Sequence, residues 1–165
     1  MLANLIIICP KVLVQAVLIQ ACAPSKPSVS PSATVYRISH LRVTYCNPLL
    51  GVQPEHKVTH LCYYRWPDAR LPVPLEGSNT SMAAVEMVSI VEQDLSWPNR
   101  SLLIHCHAGI GRTGTLMAIL MSMQQLEKEG AIDIKGIVDE LRESRPRAVM
   151  NYWQYIFIFL TIAQT

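Results

Sequence analysis

Cys106 and Arg112 stand six residues apart in the run His105-Cys106-His107-Ala108-Gly109-Ile110-Gly111-Arg112-Thr113-Gly114-Thr115. A segment this rich in glycine can curl so that successive backbone N–H groups point inward, and a helix that follows adds its positive N-terminal end. Such a concavity binds dianionic oxygens. Arg112 closes it with a planar fork that pairs two oxygens at once, which a lysine cannot imitate. The same field acts on Cys106, lowering a thiol pKa from ~8.5 to roughly 3.5–7.5 and leaving a thiolate nucleophile at neutral pH. The chemistry implied is attack of sulfur on a phosphate ester. The bland alternative is a buried cysteine in a glycine turn that ends on arginine.

The elements that must hold this loop can be read on either side of it. Residues 101–104 form an apolar run that reads as a buried strand, and Leu116, Met117, Leu120 and Met123 recur at helical spacing. The loop is therefore a strand-to-helix turn. Upstream, 34–45 and 57–64 are rich in β-branched and aromatic residues and predict a hairpin across a polar connection. Residues 80–96 place Ala84, Val85, Val88, Val91 and Leu95 on one helical face. Ile134, Ile137, Val138 and Leu141 do the same for a later helix, and Asn151 is an N-cap for a last one. The sum is an α/β domain with helices packed on a central sheet.

Taken in order, His-Cys-x-x-Gly-x-x-Arg-Thr-Gly resembles the signature loop of the cysteine-based protein tyrosine phosphatases. Trp66-Pro67-Asp68 resembles the mobile acid loop of the tyrosine-specific branch, although alone it reads as an ordinary turn with a solvated aspartate. The resemblance covers residues 34 to 165 and implies a mixed central β-sheet flanked by helices, with the active-site loop between a strand and a helix. It implies hydrolysis of phosphotyrosine in proteins through a phosphocysteine intermediate, without metal or cofactor. Carried over residue by residue, Cys106 attacks phosphorus, and Asp68 protonates the leaving oxygen and then takes a proton from water. The backbone of His107, Ala108, Gly109, Ile110 and Gly111 holds the phosphate with Arg112. Trp66 supports the acid loop, His105 orients the cysteine loop, and the Thr113 hydroxyl hydrogen-bonds the sulfur. Gln154 fits the second of two family glutamines, in the substrate-binding set.

Three positions depart from the family pattern: His107 replaces serine, Arg70 replaces a hinge glycine, and Met150 replaces the glutamine that orients the hydrolytic water. A thioether offers no amide donor. Cysteine phosphorylation is therefore expected to survive better than turnover. The alternative reading is a catalytically impaired pseudophosphatase that binds phosphotyrosine. The family's Asn-x-x-Lys-Asn-Arg-Tyr loop, which makes the cleft deep, has no equivalent in residues 1–33, so the chain reads as a truncated or divergent member.

Composition agrees with one catalytic domain over 34–165, preceded by an apolar N-terminal segment and a Pro/Ser-rich linker over 1–33. A net charge of +2, with no basic run of five or more, argues against a nucleic-acid partner. Five cysteines, an odd number without Cys-x-x-Cys pairs, suggest neither zinc nor a disulfide framework. A low-pKa thiolate requires reducing surroundings, which favours the cytoplasm. Residues 2–23 also fit a signal peptide, with Ala21-Cys22-Ala23 as a small-x-small site. Pro10 and Lys11 interrupt that stretch, so a buried strand over 5–8 and an apolar element over 12–19 are expected instead, with no stable membrane insertion.

Overall fold

The computed structural model describes residues 4–10, 18–20, 36–44, 55–73, 80–95 and 100–165. Among the described residues five strands and four helices follow in the order β1 (Asn4–Pro10), β2 (Leu18–Gln20), β3 (Tyr36–Thr44), β4 (Glu55–Tyr63), α1 (Thr80–Leu95), β5 (Arg100–His105), α2 (Gly111–Glu129), α3 (Ile134–Ser144) and α4 (Tyr152–Ile162). The strands lie side by side as β2-β3-β4-β1-β5.

The expected hairpin is β3 and β4, antiparallel with Tyr36 opposite Tyr63 and Thr44 opposite Glu55. The apolar run expected over 5–8 is β1, and the end of the element expected over 12–19 is β2. Its residues 12–17, the linker over 24–32 and the small-x-small site lie outside the described residues.

The sheet corrects one expectation. Every described ladder is antiparallel, where a mixed sheet was expected. The reason is β1, which enters between β4 and β5 and runs opposite to both, with Leu5 facing Cys62 on one side and His105 on the other. The strands that lead into the acid loop and the cysteine loop therefore point the same way without touching.

Helices cover the face of the sheet carrying Leu61 and Tyr63, and α2 runs through the middle of that layer against α3 and α4. Val88 and Val91 of α1, Ile119 of α2, and Phe157 and Ile158 of α4 are essentially without exposed surface. Burying side chains of this size contributes about 1.5–3 kcal/mol each. β5 lies at the sheet edge and is less buried than expected, because Leu103 alternates away from the helices and is 54% exposed. Three helix ends are closed by residues suited to the task. Gly130 closes α2 at φ +68°, Asp133 accepts from the Gly136 N–H, and Asn151 accepts from the Gln154 N–H.

Candidate active site

Cys106 follows β5 directly, and the loop after it closes into α2 at Gly111. The three glycines do three different things. Only Gly109 needs a left-handed backbone, at φ +68°. Gly111 lies against the Gln154 amide, where a Cβ would come within 3.1 Å of Nε2. Gly114 lies against the 148–149 backbone, where a Cβ would come within 2.6 Å of the Val149 nitrogen. Helix α2 begins without a side-chain cap at Ile110 and without an acidic residue in its first turn. Its leading N–H groups thus have no side-chain acceptor of their own and suit an anion.

Burial works against the charged form of Cys106 and is the largest single influence on it. The Thr113 hydroxyl and N–H, the Gly109 N–H and the Arg112 guanidinium together outweigh it, and the thiol is held below its ordinary value. The Thr113 hydroxyl is buried without a hydrogen-bond partner among the described residues, and its nearness favours the thiolate form of Cys106. One ring nitrogen of His105, Nδ1, lies 3.2 Å from the carbonyl oxygen of Cys106, so this side chain braces the loop at its entry. His107 is exposed at the rim.

Arg112 is 7% exposed and connects the cysteine loop to the acid loop. Its Nη1 donates to the carbonyl of Trp66 at 2.9 Å, and its Nη2 faces the Asp68 carboxylate at 3.1 Å. Its Nε is buried and has no partner among the described residues. A buried guanidinium donor left unmade is costly unless something anionic comes to meet it.

The acid loop is anchored by Trp66, 3% exposed, which packs edge-on against Tyr63 and Phe157 at centroid distances of 6.3 and 6.0 Å. Such pairs add about 0.5–1.5 kcal/mol each beyond area burial. Its indole Nε1 donates to the Arg70 carbonyl at 2.8 Å, closing the loop on itself. The strained residue of this loop is Ala69, at φ +55°, while Arg70 is absent from the left-handed region. Arginine at 70 therefore does not force the backbone conformation that the glycine pattern led one to expect. A partly open pocket of about 10 Å³, lined by Trp66, His105, Arg112 and Thr113 among others, has room for no more than about one water.

Gln154 occupies a different place from that expected of a substrate-binding residue. It has no exposed surface; its Oε1 accepts from the Met150 N–H at 3.1 Å and its amide rests against Gly111. Its Nε2 has no partner among the described residues. It supports the start of α2 from below.

Three contacts were not read from the sequence. Arg145 Nη2 donates to the Ala108 carbonyl at 2.8 Å, and Arg142 donates to the carbonyls of Ala148 and Val149 at 3.0 and 3.1 Å. Asn151, besides capping α4, donates from Nδ2 to the Ala69 carbonyl at 2.9 Å and so ties the acid loop to that helix. All three side chains donate to backbone carbonyls, and no side-chain pattern announces such an acceptor. Between Arg145 and Ala148 the chain makes a turn closed by a 3.1 Å N–H to carbonyl bond, with Pro146 second and Arg147 third at φ +70°. Glycine or asparagine is preferred at that third position when the turn is of type II. Holding arginine there costs on the order of 1 kcal/mol.

A thiol favoured as thiolate, an uncapped helix start, a buried arginine and a carboxylate on a facing loop are the groups that a thiol-dependent phosphate-ester site requires. Comparison with known proteins agrees: the family model for protein-tyrosine phosphatase matches residues 28–164, and the chain belongs to that family. It is 37% identical over 107 residues to the rat receptor-type tyrosine-protein phosphatase V, covering 64% of this chain and 6% of that one. It is 31% identical over 128 residues to the human tyrosine-protein phosphatase non-receptor type 7, covering 78% of this chain and 33% of that one. A solved structure described as the structural basis of the PTPN18 fingerprint on distinct HER2 tyrosine phosphorylation sites superposes with a TM-score of 0.66 at 26% identity. That match covers 79% of this chain and 42% of the other. The chain thus spans a third or less of these two curated relatives. Among the described residues no helix is long and apolar enough to cross a membrane.

Proposed function

We propose that the protein is a protein tyrosine phosphatase that hydrolyses phosphotyrosine in proteins through a phosphocysteine intermediate. The observation that carries this reading is the buried, unpartnered Nε of Arg112, a charged donor beside an uncapped helix start and a thiol held below its ordinary pKa. An incoming phosphate dianion satisfies that donor and the leading N–H groups together. Sulfur of Cys106 attacks phosphorus in line, the bond from phosphorus to the phenolic oxygen breaks, and Asp68 in its protonated form delivers a proton to that oxygen. Water then attacks phosphorus, Asp68 takes up its proton, and the sulfur leaves as thiolate with the Thr113 hydroxyl stabilising it.

Residues 34–165 are read as the catalytic unit, with strand β1 from the N-terminal segment completing its sheet, and a reducing compartment such as the cytoplasm suits the thiolate. The test is phosphate release from a tyrosine-phosphorylated peptide, with Cys106→Ser and a phosphoserine peptide alongside. Multiple turnovers on phosphotyrosine that vanish in Cys106→Ser support the assignment. Full activity of Cys106→Ser would refute the nucleophile. The Met150 substitution keeps a second reading in view: stoichiometric binding of the phosphopeptide without turnover would make the chain a phosphotyrosine-binding module.

A further inference from the structure

Asp68 is assigned the proton transfer, and with its side chain 69% exposed its place beside Arg112 is set by the backbone on either side of it. On one side the Trp66 carbonyl accepts from Arg112 Nη1 at 2.9 Å. On the other the Ala69 carbonyl accepts from Asn151 Nδ2, also at 2.9 Å. Ala69 stands at φ +55°, a left-handed conformation that strains a residue with a Cβ, so this end of the loop gains from an outside hold.

Asn151 uses both ends of its amide. Oδ1 accepts from the Gln154 N–H at 3.0 Å as the cap of α4, and Nδ2 donates to Ala69. A backbone N–H can only donate and a carbonyl can only accept, so the two contacts together fix which way the amide points. Serine and aspartate cap a helix about as well as asparagine. Ionised aspartate has no donor, however, and serine has one oxygen on a shorter side chain. Asparagine at 151 therefore does something that capping alone does not ask for. The fixed end of the tie is itself held to the cysteine loop. Val149 donates its N–H to the Ile110 carbonyl at 3.0 Å, and Gln154 rests against Gly111.

We infer that Asn151 is a positioning residue for the acid: by holding the Ala69 carbonyl it places Asp68 against the cysteine loop, where a leaving oxygen is to be protonated. The inference rests on the phosphatase reading of the site and adds to it a residue that touches no reacting atom and acts through Asp68. Its contribution should follow the need for a proton. A weakly acidic phenol, such as that of tyrosine, needs the acid most, and a nitrophenolate leaves with little help. A single exposed hydrogen bond contributes modestly, so the effect is a factor of about ten at most.

The test compares kcat/KM for phenyl phosphate and para-nitrophenyl phosphate in the full chain and in Asn151→Ser and Asn151→Asp, each also made in an Asp68→Asn background. This parameter reports the steps up to phosphorylation of Cys106, so a slow hydrolysis does not hide the effect. Both variants are expected to lose about fivefold on phenyl phosphate and less than about twofold on para-nitrophenyl phosphate. Their thermal unfolding should stay close to wild type, since the cap is kept. With Asp68→Asn already present, neither should change the ratio of the two substrates further. A ratio left unmoved by either variant, a shift that persists without Asp68, or loss of the fold in both variants overturns the inference. Turnover of neither substrate by the wild-type protein is a different failure: it refutes the phosphatase reading, and the positioning role falls with it.

Discussion

The Asp68 carboxylate and the Arg112 guanidinium meet at 3.1 Å across a steep gradient of exposure, with the arginine side chain 8% exposed and the aspartate 69%. The fork that would hold phosphate is therefore half occupied by the residue assigned to protonate the leaving group. On the proposed mechanism, binding of a dianion would exchange one anion for another on Arg112 and would free Asp68 for a proton transfer. Asp68→Asn is predicted to lower kcat on phenyl phosphates by about 100-fold or more, as loss of a general acid does. The loss should grow as the leaving phenol becomes less acidic. A variant that keeps more than a tenth of wild-type kcat on poor leaving groups would remove Asp68 from the mechanism.

Cys106 is predicted to react with iodoacetamide along a pH profile centred below the ~8.5 of a free thiol, because Thr113, Gly109 and Arg112 together outweigh burial. Thr113→Val should move the midpoint upward. The sign for stability follows from the depressed folded-state value. The thiolate's contribution is present above the ordinary thiol pKa and is lost as pH falls through the lower, folded-state one. A wild-type profile centred at or above the free-thiol value contradicts this electrostatic picture.

Met150 lies close to Gly111 at the start of α2, where its Cε would sit 3.5 Å from a Cβ added there. With a thioether in place of an amide, phosphorylation of Cys106 is expected to be faster than its hydrolysis. Rapid-quench kinetics should show a burst of phenol close to one equivalent, followed by a slow phase. Met150→Gln should speed the slow phase and leave the burst rate unchanged. A linear trace in the wild-type protein removes the basis for this prediction.

Gly114→Ala is predicted to destabilise the fold by about 1–3 kcal/mol, the usual cost of overpacking. The new Cβ would stand 2.6 Å from the Val149 nitrogen and 3.2 Å from the Ala148 carbonyl carbon, both backbone atoms that cannot rotate away. Val149 also donates its N–H to the Ile110 carbonyl at 3.0 Å, so a displaced turn disturbs the cysteine loop as well. Urea unfolding monitored by tryptophan fluorescence measures the difference, and an unchanged midpoint would show that the 148–149 backbone yields.

What could be read in advance was local. Cys106, the loop glycines and Arg112 are neighbours in sequence, and their chemistry follows from spacing; the same is true of Asn151 as a cap, whereas the cap at Asp133 emerged only with the structure. The position of β1 between β4 and β5 was not legible, since an apolar run such as Ile6-Ile7-Ile8 announces a strand without naming its partners. Gln154 illustrates a second limit. A motif places an amide near the site but does not say whether it faces the cleft or, as here, lies beneath Gly111. The left-handed residue of the acid loop falls at Ala69, one position before the arginine that first drew notice.

The joints of the site share an unusual independence from side-chain identity at their accepting ends. Arg112 binds the carbonyl of Trp66, Arg145 that of Ala108, and Asn151 that of Ala69. Any residue at 69 or 108 offers the same acceptor. These two positions can drift in sequence, toward glycine at 69 with some relief of strain, while the spacing between acid, nucleophile and fork is kept. Variation can thus accumulate on the surface that meets a substrate without reaching the groups that would act on it.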